Sequence, residues 1–147
     1  MKQEDKTLMM LVGDVHRQFG HRIRELEKRN GLGMCSNCIL FELDRNSSLT
    51  QVELVEKIHM RPSSVSVALQ KMEADELIKR TVKDDDQRYT IVSLTDKGKT
   101  FCKEMRKRIR DLDESVTKEI NQEELEIAKK VLKELSLAFM EEYNENI

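Results

Sequence analysis

Residues 49–80 read LTQVELVEKIHMRPSSVSVALQKMEADELIKR, and the parsing of this stretch decides the fold. Thr50 with Glu53 three positions later is a capping-box pattern, which satisfies two otherwise unpaired N–H groups and starts a short helix. Val52, Val55 and Ile58 keep helical spacing within it. Met60-Arg61-Pro62-Ser63 then breaks the run. Pro62 suits the first turn of a further helix, because its missing N–H would have no partner there. That helix runs to about Asp75 and places Val65, Leu69 and Met72 on one inward face. Two short helices joined by a tight turn form a helix-turn-helix.

The pattern extends in both directions. Leu77 to Val82 reads as a strand, Arg88 to Leu94 as its partner, and Asp84-Asp85-Asp86-Gln87 as the turn between them. Thr95 caps the next helix, and Asp96 suits its positive start. A hairpin directly after a helix-turn-helix is a wing. Phe101, Met105, Ile109, Leu112 and Val116 share one face of the helix that follows. Asn121 with Glu124 marks the start of a last helix bearing Leu125, Ala128, Leu132, Leu135 and Phe139. Towards the N-terminus, Leu8, Val12, Val15, Phe19, Ile23 and Leu26 form a stripe on a helix from about Lys6 to Arg29. Asn30-Gly31-Leu32-Gly33 ends it, a second helix covers Cys35 to Asp44, and Asn46-Ser47-Ser48 is a break. The predicted fold class is mainly α with a small β-hairpin wing.

A chain of 147 residues, 38% hydrophobic and 37% charged, fits one domain with a real core and heavily charged outer faces. Leu8 to Val12 is too short an apolar run to span a membrane and lacks a cleavage pattern, so a cytoplasmic protein with no membrane partner is expected. Three cysteines without a secretion signal point to thiols. The net charge of −2 hides a gradient. Residues 97–110 carry seven basic side chains and one acid, whereas residues 118–147 carry eight Glu and four Lys. That gradient fits a polyanion approached from one side, and it fits ordinary solvated helix faces equally well. No phosphate loop, metalloprotease helix, nucleophile elbow or paired acid and base is present. No enzyme, cofactor or metal site is expected. His16, His21 and His59 are scattered without metal-ligand spacing.

In the order of its elements and in its motifs, the chain resembles the MarR (multiple antibiotic resistance regulator) family of winged-helix transcription factors along essentially its whole length. The family's wing pattern, D-x-R, three residues, V-x-L-T and a glycine after two more, stands here as Asp86-Gln87-Arg88, Tyr89-Thr90-Ile91, Val92-Ser93-Leu94-Thr95 and Gly98. LTQVELVEKI resembles the family's first motif helix and SSVSVALQKME its recognition helix. One departure is visible. The family usually has glycine before the L-I-x-R that opens the wing, and this chain has Glu76, which in a left-handed cap would cost roughly 1 kcal/mol.

The resemblance implies a homodimeric DNA-binding transcriptional regulator, a repressor on a pseudo-palindromic operator released by a small-molecule effector. It implies one domain over 1–147, with the winged helix-turn-helix over about 32–117 and dimerisation helices over about 6–30 and 118–144. A recognition helix in the major groove reads bases from near its N-terminal end, which singles out Ser63, Ser64, Ser66, Val67 and Gln70. Gln70 suits a bidentate pair with adenine, the serines suit phosphates or single base edges, and Val67 suits a thymine methyl. Arg61 and Lys71, with Lys83 at the wing, suit phosphates. By resemblance Arg88 enters the minor groove while Asp86 holds its guanidinium in position. Solvated side chains and a surface ion pair are the plainer readings of Gln70, Lys71, Asp86 and Arg88.

An effector pocket is expected beside Phe19, Ile23, Cys38 and Phe41. Cys35 and Cys38 lie three apart on one helix, which is compatible with a redox-sensing pair and more simply with small apolar filling. Two alternatives to the DNA-binding, effector-released regulator therefore stand: a thiol-based redox regulator using Cys35 and Cys38, and a winged-helix protein-interaction module that does not bind DNA. Residues 61–88 hold six basic and six acidic side chains, so charge alone does not decide the second.

Overall fold

The computed structural model describes residues 5–27, 32–82 and 90–145. In chain order the elements are α1 (Leu8–Glu27), α2 (Met34–Asn46), β1 (Ser48–Thr50), α3 (Gln51–Ile58), α4 (Pro62–Ala74), β2 (Ile78–Val82), β3 (Thr90–Leu94), α5 (Asp96–Thr117) and α6 (Gln122–Glu145). They form two compact units, Met1–Arg106 and Lys107–Ile147.

The first unit packs α2, α3, α4 and the start of α5 around a small sheet. Leu40, Leu43, Leu54, Val65, Leu69, Met72 and Val92 make its core, and Leu77, Ile78 and Cys102 close it at the wing root. The capping box reads as the sequence implies. The Glu53 N–H donates to Thr50 Oγ1 at 3.2 Å, and the Thr50 N–H donates to Glu53 Oε2 at 2.7 Å. These bonds from Thr50 hold the Glu53 carboxyl below its ordinary range. Leu54 supplies the buried side chain of α3, whereas Val52 faces solvent. In a helix of eight residues, two neighbouring stripes are equally apolar by spacing, and packing chooses between them. On α4, Val65, Leu69 and Met72 are fully buried, as their spacing predicts.

The sheet departs from the two-stranded hairpin expected. Its order is β1-β3-β2, all antiparallel, with Ser48↔Ser93 to Thr50↔Ile91 on one side of β3 and Ile78↔Leu94 to Val82↔Thr90 on the other. β1 is three residues long, too short to show alternation, and it grows from the expected break at 46–48. Ser47 turns the chain there with φ 63°.

Glu76 takes the left-handed conformation, with φ 60°. The Glu76 N–H donates to the Glu73 carbonyl at 3.0 Å and the Leu77 N–H to that of Met72 at 2.8 Å. This bond pair is a Schellman cap, and the buried Met72 and Leu77 are the apolar residues that accompany it. A side chain in that conformation is strained by about 1–2 kcal/mol, and glycine loses part of that gain through its freer unfolded chain. Glu76→Gly is therefore expected to stabilise the fold by about 0.5–1 kcal/mol. Chemical denaturation checks this, and a destabilised variant would refute it.

In α1, Ile23 is buried and Phe19 half-buried, while Leu8 and Val15 face solvent. The stop expected at Asn30-Gly31 lies outside the described residues. In the second unit, Asn121 Oδ1 caps α6 by accepting the N–H groups of Glu123 at 2.8 Å and Glu124 at 3.3 Å. Leu125 and Leu135 are half-buried, whereas Ile127, Leu132, Leu137 and Phe139 are exposed. Among the described residues, no helix is long and apolar enough to cross a membrane.

Candidate nucleic-acid interface

Two contacts fix the recognition helix against the wing. Thr95 Oγ1 donates to the Glu76 carbonyl at 2.7 Å and accepts the Gly98 N–H at 3.0 Å, and the Thr95 N–H donates to the Leu77 carbonyl at 3.1 Å. Lys97 Nζ reaches the Asp75 carbonyl at 2.7 Å. The end of α4, the root of β2 and the start of α5 thus meet at one point. Gly98 is required there, because a Cβ on it would stand 1.9 Å from the Leu77 carbonyl oxygen. This packing is the physical content of the L-T-x-x-G part of the wing pattern.

The second contact is an ion pair. Arg80 on β2 grips Glu73 on α4, with Nε at 2.9 Å and Nη2 on the same oxygen, Oε2. The bond from Arg80 lowers the Glu73 pKa. The pair therefore persists at neutral pH and is lost only as pH falls through that lowered value.

Helical geometry divides α4 into two arcs. Val65, Ala68, Leu69 and Met72 are buried. Opposite them Ser63, Ser64, Val67, Gln70 and Lys71 are exposed, with Ser66 half-buried at the margin. Val67 is 67% exposed, an apolar side chain held in water on an otherwise polar face. Arg61 is the N-cap residue and is exposed. The helix has one carboxylate, Glu73, and Arg80 neutralises it. The outward arc thus offers hydroxyls, an amide, a valine and two flanking cations, with no free acid. The wing-tip candidates Lys83, Asp86 and Arg88 lie outside the described residues.

Of the expected pocket residues, Ile23 is buried, Phe19, Cys38 and Phe41 are half-buried, and the Arg106 guanidinium covers the Phe41 ring at 4.9 Å. Arg106 also bonds Asp44 at 2.9 Å. Cys35 and Cys38 are free thiols. Burial pushes both pKa values up, reinforced by Cys38 beside Cys35 and by Glu42 beside Cys38. Such an environment disfavours the thiolate that peroxide attacks.

A three-stranded antiparallel sheet set against a helix-turn-helix defines a winged-helix fold. Residues 38–90 match the MarR family profile. The HTH-type transcriptional regulator TcaR of Staphylococcus aureus is 24% identical over 127 residues, covering 85% of this chain and 83% of that protein. The HTH-type transcriptional repressor MdtR of Bacillus subtilis is 31% identical over 74 residues, covering 50% of this chain and 48% of MdtR. A mutant MarR from E. coli complexed with operator DNA superposes with a TM-score of 0.74 at 19% identity, covering 87% of this chain and 92% of that one. The chain thus shares the fold of MarR, and its residues 38–90 resemble the MarR family in sequence.

Proposed function

We propose that this protein is a cytoplasmic homodimeric repressor that reads a pseudo-palindromic operator through α4 and releases it on binding a small-molecule effector. The winged helix-turn-helix occupies about 32–117, and α1 and α6 supply the dimerisation surfaces. The observation that carries the DNA-reading part is the clearing of acids from the outward arc of α4. Among the described residues of 61–88 no acid lies on that arc: Glu73 is paired with Arg80, and Asp75 and Glu76 follow the helix. This arrangement favours a polyanion over a protein partner. The dimer rests on the solvent-facing Leu8, Met9, Met10 and Val15 of α1 and on the apolar side of α6, which a partner chain would cover.

Selection from a random duplex pool tests the reading. A palindrome with half-sites about one helical turn apart is expected, and failure to enrich any site at low salt would reject it. Within the selected site, Gln70→Ala should relax one base pair by about 1–3 kcal/mol and leave the other positions unchanged. Competition between single-base variants measures this, and uniform loss at all positions would assign Gln70 to the backbone instead. Arg88→Ala should weaken all sequences alike and lower the salt slope by about 1. An unchanged slope would remove Arg88 from the interface.

A further inference from the structure

Val67 stands on the crest of α4. The residues that this helix buries are Val65, Ala68, Leu69 and Met72. At about 100° per residue, the direction opposite them runs close to Ser63 and passes between Val67 and Gln70. Ser63 and Gln70 lie one turn to either side of Val67, and all three are exposed. The four buried side chains hold the helix from behind, and Arg80 ties its end to β2 through Glu73. The crest is thus a fixed edge.

The Val67 isopropyl group contributes little to the single chain. It is 67% exposed, and a β-branched side chain is a poorer helix former than alanine. Among the described residues of the helix-turn-helix and sheet, the exposed large apolar side chains are Val52, Val67 and Val82, and Val67 alone lies on α4. Its neighbours on the outward arc are hydroxyls, an amide and an ammonium. A single apolar group among hydrogen-bonding ones does not suit a protein partner, whose interface core clusters apolar and aromatic side chains. It suits the major-groove edge of a duplex. There the 5-methyl group of thymine is the apolar feature among base donors and acceptors.

We propose that Val67 is a specificity-determining residue that reads the 5-methyl group of a thymine, in the base pair next to the one Gln70 reads. The inference rests on the DNA-reading function above and adds the chemical group recognised. Three residues separate Val67 from Gln70, a rise of about 4.5 Å along the helix, against roughly 3.4 Å between successive base pairs. The two side chains are thus spaced for neighbouring pairs. Each half-site should hold a thymine, on either strand, beside the pair that Gln70 selects.

The test uses the whole chain and the duplex selected from the random pool. Each thymine of that site is replaced singly by deoxyuridine, which deletes the methyl group and keeps every hydrogen-bonding group. One position per half-site should weaken wild type about fourfold, the loss of one buried methyl group. It should lie next to the pair relaxed by Gln70→Ala. Val67→Ala should bind the thymine and deoxyuridine duplexes equally well. Alanine favours an exposed helix position over valine, so this variant keeps its fold. A site with no methyl-sensitive position would overturn the proposal. So would a sensitive position that Val67→Ala feels as strongly as wild type, or one not adjacent to the Gln70 pair. In each of those results the protein still selects a site, and the DNA-reading function stands. A pool that enriches no duplex at low salt removes that function, and the proposal with it.

Discussion

Gly98→Ala should lower the stability of this protein by about 3–5 kcal/mol, a large share of the roughly 5–15 kcal/mol that keeps a domain folded. The methyl group would meet backbone on the far side, the Leu77 carbonyl oxygen at 1.9 Å and its carbon at 3.0 Å, so no side chain can swing away. Relief requires the start of α5 to back off from β2. That movement breaks the bond from the Thr95 N–H to the Leu77 carbonyl and the one from Thr95 Oγ1 to the Glu76 carbonyl. Overpacking of this kind is costly because the surrounding backbone must move together. For a chain of this size the melting midpoint should fall by roughly 10–20 °C. Gly13→Ala is the control. Its nearest neighbour would be an arginine nitrogen at 3.7 Å, an ordinary contact. In a helix interior alanine is better than glycine by about 1 kcal/mol. Thermal melts followed by circular dichroism decide the matter, and a Gly98→Ala midpoint within a few degrees of wild type would refute the close approach.

The second large effect concerns assembly. Leu132→Asp should leave each chain helical but convert the protein to a monomer, with DNA affinity falling about 10²–10⁴-fold as the two half-sites cease to be held together. Leu132 is 48% exposed on the side of α6 that also carries Val131, Leu135 and Phe139, so the substitution removes little from the single chain. In a two-fold dimer each such residue counts twice. Each buried leucine contributes roughly 1.5–3 kcal/mol, and a carboxylate left unpaired in its place costs more. Analytical ultracentrifugation and DNA titration of the same samples test the prediction. A dimeric Leu132→Asp protein would move the interface elsewhere, and a monomer that binds DNA as tightly as wild type would show that pairing is not needed.

Much of the fold was legible because its signals are local. Thr50 and Glu53 lie three apart, Pro62 opens α4 at its first position, and Val65, Leu69 and Met72 follow the helical repeat into the core. β1 was not legible, since a three-residue strand is defined by the partner that accepts it, Ser93 to Ile91, more than forty positions away. Val52 and Leu54 were indistinguishable for the same reason. Both are apolar, and only the tertiary fold says which one meets the core. The reading face of α4 could be deduced as the complement of its buried arc. The bond from the Cys35 thiol to the Ser64 carbonyl could not, because these residues belong to helices separated by two elements. Glu76 lies between these cases. Its place in the wing pattern announced a left-handed cap, and the backbone adopts it despite the side chain.

The central strand β3 is hydrogen-bonded along both edges, and its hairpin partner is locked through Ile78↔Leu94 at one end and Val82↔Thr90 at the other. Length variation between those end pairs is therefore confined to the seven residues 83–89. The stem behaves as a socket. Segments of other lengths and charges can be grafted between Val82 and Thr90 while α4 stays where it is.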